Sequence, residues 1–387
     1  MLGQHKPIDL ADLNKCEREK MLERIQSSGH VFLNLLCRAL FSSIVGLACL
    51  SVNAQIPDRV ISTDGPEGTV SGKVIAVTPG GVDVEDKAGT SKNVPVEKIR
   101  EIQFAGEPAS LKTARSMLAR RRPADALKEL AKIEPSELEG AEPLIVAEVE
   151  FVKAAAAGRA AIDSGASPVD AGKQVNEFLK KHSESFHFYQ MQELLGDLLG
   201  SAGKWELAQD AYAKLAKGPA SWKVRAAAAR ATMLFNQKKY DEAYKEFQSA
   251  IKIDAGDEIS LAQKRGAELG MAKCLTQQGK QADAINMVQK IIKQSNPEEK
   301  ELLGKAYNVL GEAYRSTGGK DQDALISFLT VDLVYNSLPE SHAEALFYLC
   351  ELWERGKNPE RAREAKQNLE STYPNSSWAK KVVAAKS

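Results

Sequence analysis

"YDEAYKEFQSAI", residues 240–251, sets Ala243, Phe247 and Ala250 four and then three residues apart, with charge around them. That spacing puts the three on one face of an α-helix. Their sizes run small, large, small, which suits a helix that touches another closely at two points and fills a gap between them. The pattern recurs in "PADALKELAKI" (123–133), "WELAQDAYAKL" (205–215), "QADAINMVQKII" (281–292), "DQDALISFLTV" (321–331) and "PERAREAKQNL" (359–369). Its alanines are Ala126, Ala208, Ala243, Ala284, Ala324 and Ala362, and the last five stand 35, 41, 40 and 38 residues apart. Self-similarity at such a period marks an array of stacked units. The wider gap between Ala126 and Ala208 has room for one more, and "VDAGKQVNEFLKK" (169–181), with Ala171, Val175 and Phe178, fits there.

A preceding helix is visible in two units: "MQELLGDLL" (191–199), with Leu195 and Gly196, and "YNVLGEAY" (307–314), with Leu310, Gly311 and Tyr314. Small residues belong where two backbones nearly touch, and Gly196, Gly311, Ala231 and Ala243 meet that need. Tyr212, Phe247 and Phe328 would fill the holes between units. Each unit buries its stripe only by stacking on the next, so stability is shared along the chain. The combination of Leu-Gly and Tyr on a first helix with Ala, Phe and Ala on a second resembles the tetratricopeptide (TPR) repeat. The match is good at Leu310, Gly311, Tyr314, Ala324 and Phe328, and at Ala243, Phe247 and Ala250. It departs from the pattern where Lys366 takes the large apolar place and where linkers exceed the usual period.

The resemblance implies a mainly α chain: a TPR-like α-solenoid of six or seven antiparallel helix pairs over 107–387. It further implies a role in protein–protein interaction, without catalysis, through the concave face that the first helices would line. Laid on the repeat register, Arg225, Thr232, Asn236, Lys273, Asn308, Glu312 and Arg315 fall near that face as candidate partner-binding residues. One TPR class clamps a carboxylate with Lys, Asn and Arg. Here Glu193 and Asp197 stand at comparable positions and would repel it, so that function is not carried over. "STYPNSSWAKK" (371–381) resembles a Tyr-Pro-x-Ser signature of exported bacterial TPR proteins of cell-envelope assembly.

Ahead of the array the periodicity changes to two. "RVIST", "GTVSGKVIAVT", "GGVDVED", "SKNVPV" and "REIQF", between residues 59 and 104, alternate apolar and polar residues and are separated by Gly- and Asp-rich turns. Five short strands over 55–106 resemble a small SH3- or Sm-like barrel. An Sm-like module would raise RNA binding, but six basic residues (Arg59, Lys73, Lys87, Lys92, Lys98, Arg100) face eight acidic ones (Asp58, Asp64, Glu67, Asp83, Glu85, Asp86, Glu97, Glu101). Phosphate recognition needs a positive surface. The whole chain of 387 residues carries 52 Lys+Arg and 52 Asp+Glu, which also disfavours a nucleic-acid partner.

The N-terminus reads as a secretory signal, residues 1–54. "VFLNLLCRALFSSIVGLACLSVNAQ" (31–55) is apolar and ends in the small-x-small pattern Val52-Asn53-Ala54. The stretch before His30 balances five basic residues with five acidic ones, whereas a start at Met21 leaves a net positive leader. A retained membrane anchor and lipidation at Cys49 are the alternatives. Export would place the protein in the periplasm or cell envelope and leave only Cys274 and Cys350, too far apart in the repeat order for a disulfide.

Chemistry-bearing motifs are lacking. The sequence has no HExxH, GxSxG, GxxxxGK[ST] or GxGxxG, and "GSAGKWE" (200–206) reads as an inter-helix turn. His182 and His187 bracket "HSESFH" and read as surface loop residues. No metal, cofactor or catalytic residue is expected.

Overall fold

A computed structural model describes residues 57–164 and 167–384, so the expected leader lies outside the described residues. Five antiparallel strands come first: β1 (Asp58–Ser62), β2 (Val70–Thr78), β3 (Gly81–Glu85), β4 (Ser91–Pro95) and β5 (Ile99–Gln103). They form one sheet in the order β4-β3-β2-β1-β5. A single turn of 3₁₀-helix, Val96–Lys98, separates β4 from β5. The long strand β2 pairs with β1 through Val70–Gly72 and with β3 from Lys73 onward, so the sheet changes partner within one strand. Gly72 sits at the change. A Cβ there would meet the Glu85 carbonyl oxygen at 2.2 Å, so only glycine allows the strands this close. Alternate residues Val60, Val74, Val82, Val84, Val94 and Ile102 are buried on one face.

Sixteen helices follow among the described residues. Seven antiparallel pairs account for fourteen of them: α1 (Ala109–Ala119) with α2 (Pro123–Leu130), α4 (Pro143–Ser164) with α5 (Pro168–Lys181), α6 (Phe188–Ser201) with α7 (Trp205–Leu215), α8 (Ala220–Asn236) with α9 (Tyr240–Lys252), α10 (Glu258–Gln277) with α11 (Gln281–Gln294), α12 (Lys300–Arg315) with α13 (Asp321–Val334), and α14 (Pro339–Arg355) with α15 (Pro359–Thr372). A one-turn helix α3 (Pro135–Leu138) joins the first two pairs, and α16 (Ser377–Ala384) packs on the last. None of the described helices is long and apolar enough to cross a membrane.

The turns inside the pairs share one device. Six of them place a single residue in the left-handed region after the first helix: Arg121, Gly203, Lys238, Gly279, Gly319 and Lys357. A left-handed residue at that position lets following amides bond back to the last carbonyls. So Arg122 N–H donates to Met117, Lys204 N–H to Leu199 and Lys280 N–H to Leu275. The stretch 200–206 holds one of these turns.

The alanine anchors Ala126, Ala171, Ala208, Ala243, Ala284, Ala324 and Ala362 are all buried. Small residues face large rings as their sizes require. A Cβ on Gly196 would lie 2.3 Å from the Tyr212 ring, and one on Gly311 2.6 Å from Phe328. Gly270, which the sequence reading passed over, stands in the same relation to Phe247 at 2.3 Å. Leu195 and Tyr314 are half-buried and pack against the buried clusters, with Leu194 and Leu198 taking the interior beside Leu195 and the Tyr314 hydroxyl accepting from Gln289. Cys274 and Cys350 are buried free thiols, and burial pushes Cys274 up to about 12.

Candidate functional site

The two helices of each pair differ in what they touch. Successive first helices pack on one another, α4 on α6, α6 on α8, α8 on α10, α10 on α12 and α12 on α14. No two successive second helices pack to a comparable extent among the described residues. A stack crowded along one row and spread along the other curves toward the crowded row. The first helices therefore line the concave side, and the side chains between neighbouring first helices are its surface.

Two clusters occupy that surface. The first joins α4, α6 and α8. Arg225 donates to both carboxylate oxygens of Glu193, at 3.0 Å through Nε, and its guanidinium lies 4.5 Å from the centre of the Trp222 ring. Asp197 accepts from the Tyr212 hydroxyl at 2.9 Å. Burial and the neighbouring Glu193 carboxylate push Asp197 up to about 6, although the Tyr212 hydrogen bond and the charges of Arg159 and Arg225 oppose this. The second cluster joins α10, α12, α14 and α16. Lys273 Nζ lies 3.8 Å from Glu344, which holds the ammonium above its ordinary range against the opposing effect of burial. Glu344 is itself raised by burial, with Glu312 adding repulsion. Asn308 Nδ2 donates to the Ser341 carbonyl at 2.8 Å and to Glu344 at 3.2 Å. Gln277 donates to Glu312 at 3.1 Å. Arg315 donates to Glu351 at 2.9 Å and lies over the Tyr348 ring at 4.8 Å. Lys381 Nζ stands 3.7 Å from the centre of the Trp378 ring.

Of the residues that the repeat register singled out, Lys273, Asn308, Glu312 and Arg315 thus come together and Arg225 belongs to the other cluster. Three expectations change. Asn308 is 1% exposed and bonded to the next unit, so it ties two first helices together and is not presented at the surface. Thr232 and Asn236 are exposed but join neither cluster, and the Thr232 hydroxyl is turned back onto the Ala228 carbonyl one turn earlier. Glu193, set aside as a repelling carboxylate, is paired by Arg225. Glu344 and Lys381 were missed: neither lies in a repeat motif, and both are brought in by stacking.

Asp197 gives a direct check. A carboxyl raised in the folded state binds a proton there more readily than in the unfolded chain. Stability is therefore greatest below the unfolded value and falls as pH rises from about 4 to about 6. Asp197→Asn, whose amide oxygen still accepts from Tyr212, is expected to stabilise the protein at pH 8 by about 1–3 kcal/mol. The gain should fade toward pH 4. Urea unfolding at both pH values measures it, and an equal effect at both would refute the assignment.

The β module meets the helices over a different group. One apolar core runs without a break from Val60 of β1 through Leu111, Val152 and Phe178 to Leu198 of α6. Within it Glu148 is 3% exposed and accepts from Arg115 Nε at 3.0 Å and from His187 Nε2 at 2.9 Å. Arg115 continues to Glu107 at 2.6 Å. His187 stacks on Phe151 with ring centres 3.2 Å apart, and His182 reaches Glu150 at 2.6 Å. The loop histidines are thus structural and largely buried. A cavity of about 340 Å³ opens beside them between Val77, Phe104 and the 181–187 loop. Among the described residues no His, Cys, Asp and Glu converge in a way that could hold a metal ion.

No protein-family model matches this chain, and no curated protein is similar to it in sequence. Solved structures are similar in shape. The apo form of the quorum sensor NprR from B. thuringiensis aligns over 68% of this chain and 74% of its own, with a TM-score of 0.50 and 14% identity. Rap protein complexed with Competence and Sporulation Factor aligns over 70% and 76%, with a TM-score of 0.48 and 17% identity. A tetratricopeptide repeat protein from Parabacteroides merdae aligns over 68% and 91%, with a TM-score of 0.46 and 17% identity. The helical region of this chain has the tetratricopeptide-repeat fold.

Proposed function

We propose that the protein is a non-catalytic interaction scaffold whose concave face holds an extended polypeptide segment with basic side chains. One observation carries this reading. The first helices bring carboxylates to that face in places where burial and like-charged neighbours hold Asp197 and Glu344 above their ordinary range. Such groups lower the stability of the free protein at neutral pH, and sites that cost stability are commonly functional ones. A guest cation would relieve them. The exposed inner positions Thr232 and Asn236 offer further polar contacts to a peptide backbone. The likeness to apo NprR supports the fold on which this rests. We read the five-stranded module as an SH3-like barrel that completes the array's N-terminal end, since its core runs on through the first two pairs to α6. From the apolar stretch 31–55 we further infer export to the periplasm or envelope. A retained anchor is the second reading of that same stretch.

One experiment reads both parts. Tagged protein is recovered from a bacterial periplasmic extract, and its intact mass and its bound proteins are compared with those of a variant carrying Arg225→Glu, Lys273→Glu and Arg315→Glu. The expected mass lacks residues 1–54, and the expected change is a different set or strength of captured partners. Recovery of a chain with residues 1–54 intact would remove the cleaved-leader reading. Identical capture by both proteins would remove the concave-face reading.

A further inference from the structure

Two residues 180 positions apart meet across the array. Arg121, in the left-handed turn after α1, donates through Nη2 to Glu301 of α12 at 2.8 Å. Five helix pairs and the linker α3 lie wholly or partly between them. The ends of α4 and α14 approach on the same side: Asp163, at the end of α4, is raised by partial burial and then by the charge of Glu340 at the start of α14. Arg121 and Arg159 pull Asp163 in the opposite direction. Units one to two and units six to seven therefore face each other, and the stack has wound far enough to return on itself.

We propose that the solenoid closes across this seam, so that the concave face of the free protein is a bore, and that the seam opens and shuts on its charges. The seam is built to be marginal. Its attractive pair, Arg121 and Glu301, is half exposed on both sides, and such pairs are worth about 0–1 kcal/mol. Its other facing groups, Asp163 and Glu340, carry like charge. No described residue of the buried core is shared between the two rims, because the clusters that hold α1–α6 and α12–α14 are separate. A contact held by a screened ion pair and opposed by a carboxylate pair is easily parted. The inference deepens the scaffold reading, since a bore that opens sideways admits an extended segment and refuses a folded domain. It does not need the partner for its test.

The full chain with Cys16→Ser, Cys37→Ser and Cys49→Ser receives nitroxide labels at Arg120→Cys and Lys305→Cys, both exposed and beside the seam. Electron–electron dipolar spectroscopy then reads the gap. At low salt one short distance is expected. In about 1 M NaCl, where the screening length is about 3 Å, and in Arg121→Glu at low salt, the distance should lengthen and broaden. Arg121→Glu combined with Glu301→Arg should restore the short distance. A long distance in the parent protein at low salt would overturn the closed bore. A short one that neither salt nor Arg121→Glu disturbs would overturn the charge latch. Either result leaves the charge-reversal capture experiment standing, so failure of the seam and failure of the binding face are distinguishable.

Discussion

Phe328→Ala is expected to cost about 3–5 kcal/mol, the range for emptying a fully buried aromatic site. Phe328 of α13 is 0% exposed, and three helices from two successive units meet on its ring. One face abuts Gly311 of α12, and another stacks on Tyr348 of α14 with centres 5.0 Å apart. Tyr348 in turn lies under Arg315 at the concave surface. Removing the ring takes the support from Tyr348 and lets Arg315 shift, so the loss reaches the candidate binding face. In a linear array each unit is held by its neighbours, so a weak junction also splits the unfolding transition. Urea unfolding followed by tryptophan fluorescence should show a second, earlier step, since Trp353 and Trp378 report the C-terminal side of the break. The Gly311 contact gives an internal control. Gly311→Ala alone should cost about 1–3 kcal/mol by pressing a Cβ into the ring. In the Phe328→Ala background it should cost almost nothing. Additive losses would mean that the two residues do not share one contact.

These same junctions explain what the sequence discloses. Ala243, Phe247 and Ala250 recur because each unit solves an identical packing problem, and a repeated local solution leaves a repeated local trace. The strands between 58 and 103 are legible for a related reason: alternation at period two records one buried face. The binding face has no such trace. Glu344 meets Lys273 across 71 positions and Lys381 meets the second cluster only through α16, so their neighbourhood is fixed by the angle between stacked units. Asn308 shows the converse. Its register position is right for the inner row, but the spacing of α12 and α14 closes over it and turns a candidate contact into a tie. The histidines misled for another reason. "HSESFH" reads as a polar loop, and nothing local announces that α4 carries a buried carboxylate aimed at it. The seam is the most remote case, since it follows from curvature summed over five pairs.

That buried carboxylate carries the second large effect. Glu148→Ala is expected to cost about 3–5 kcal/mol, because it strands two buried donors. The Arg115 guanidinium loses one of its two carboxylates and His187 loses the acceptor for Nε2, both at a site where the side chain removed is only 3% exposed. Glu148→Gln keeps one acceptor oxygen and the shape, so it should lose less. The pH dependence follows from the direction of the Glu148 shift. Burial works against ionisation, but the charge and hydrogen bond of His187, with those of Arg115, outweigh it and hold the carboxyl below its ordinary range. A carboxyl depressed in the folded state contributes stability that is whole above the unfolded value near 4. That contribution is lost as pH falls through the lower folded value. The gap between parent and Glu148→Ala should therefore be widest near neutral pH and narrow in acid. Arg115 also holds Glu107, in the link between β5 and α1, so the variant should loosen the β module from α4 and α6 before the later pairs unfold. Limited proteolysis near residues 104–108 would report this. A variant that unfolds with an unchanged cleavage pattern, or whose deficit is the same at pH 3 and pH 7, would show that Glu148 stabilises the array as a whole and not the joint between strands and helices.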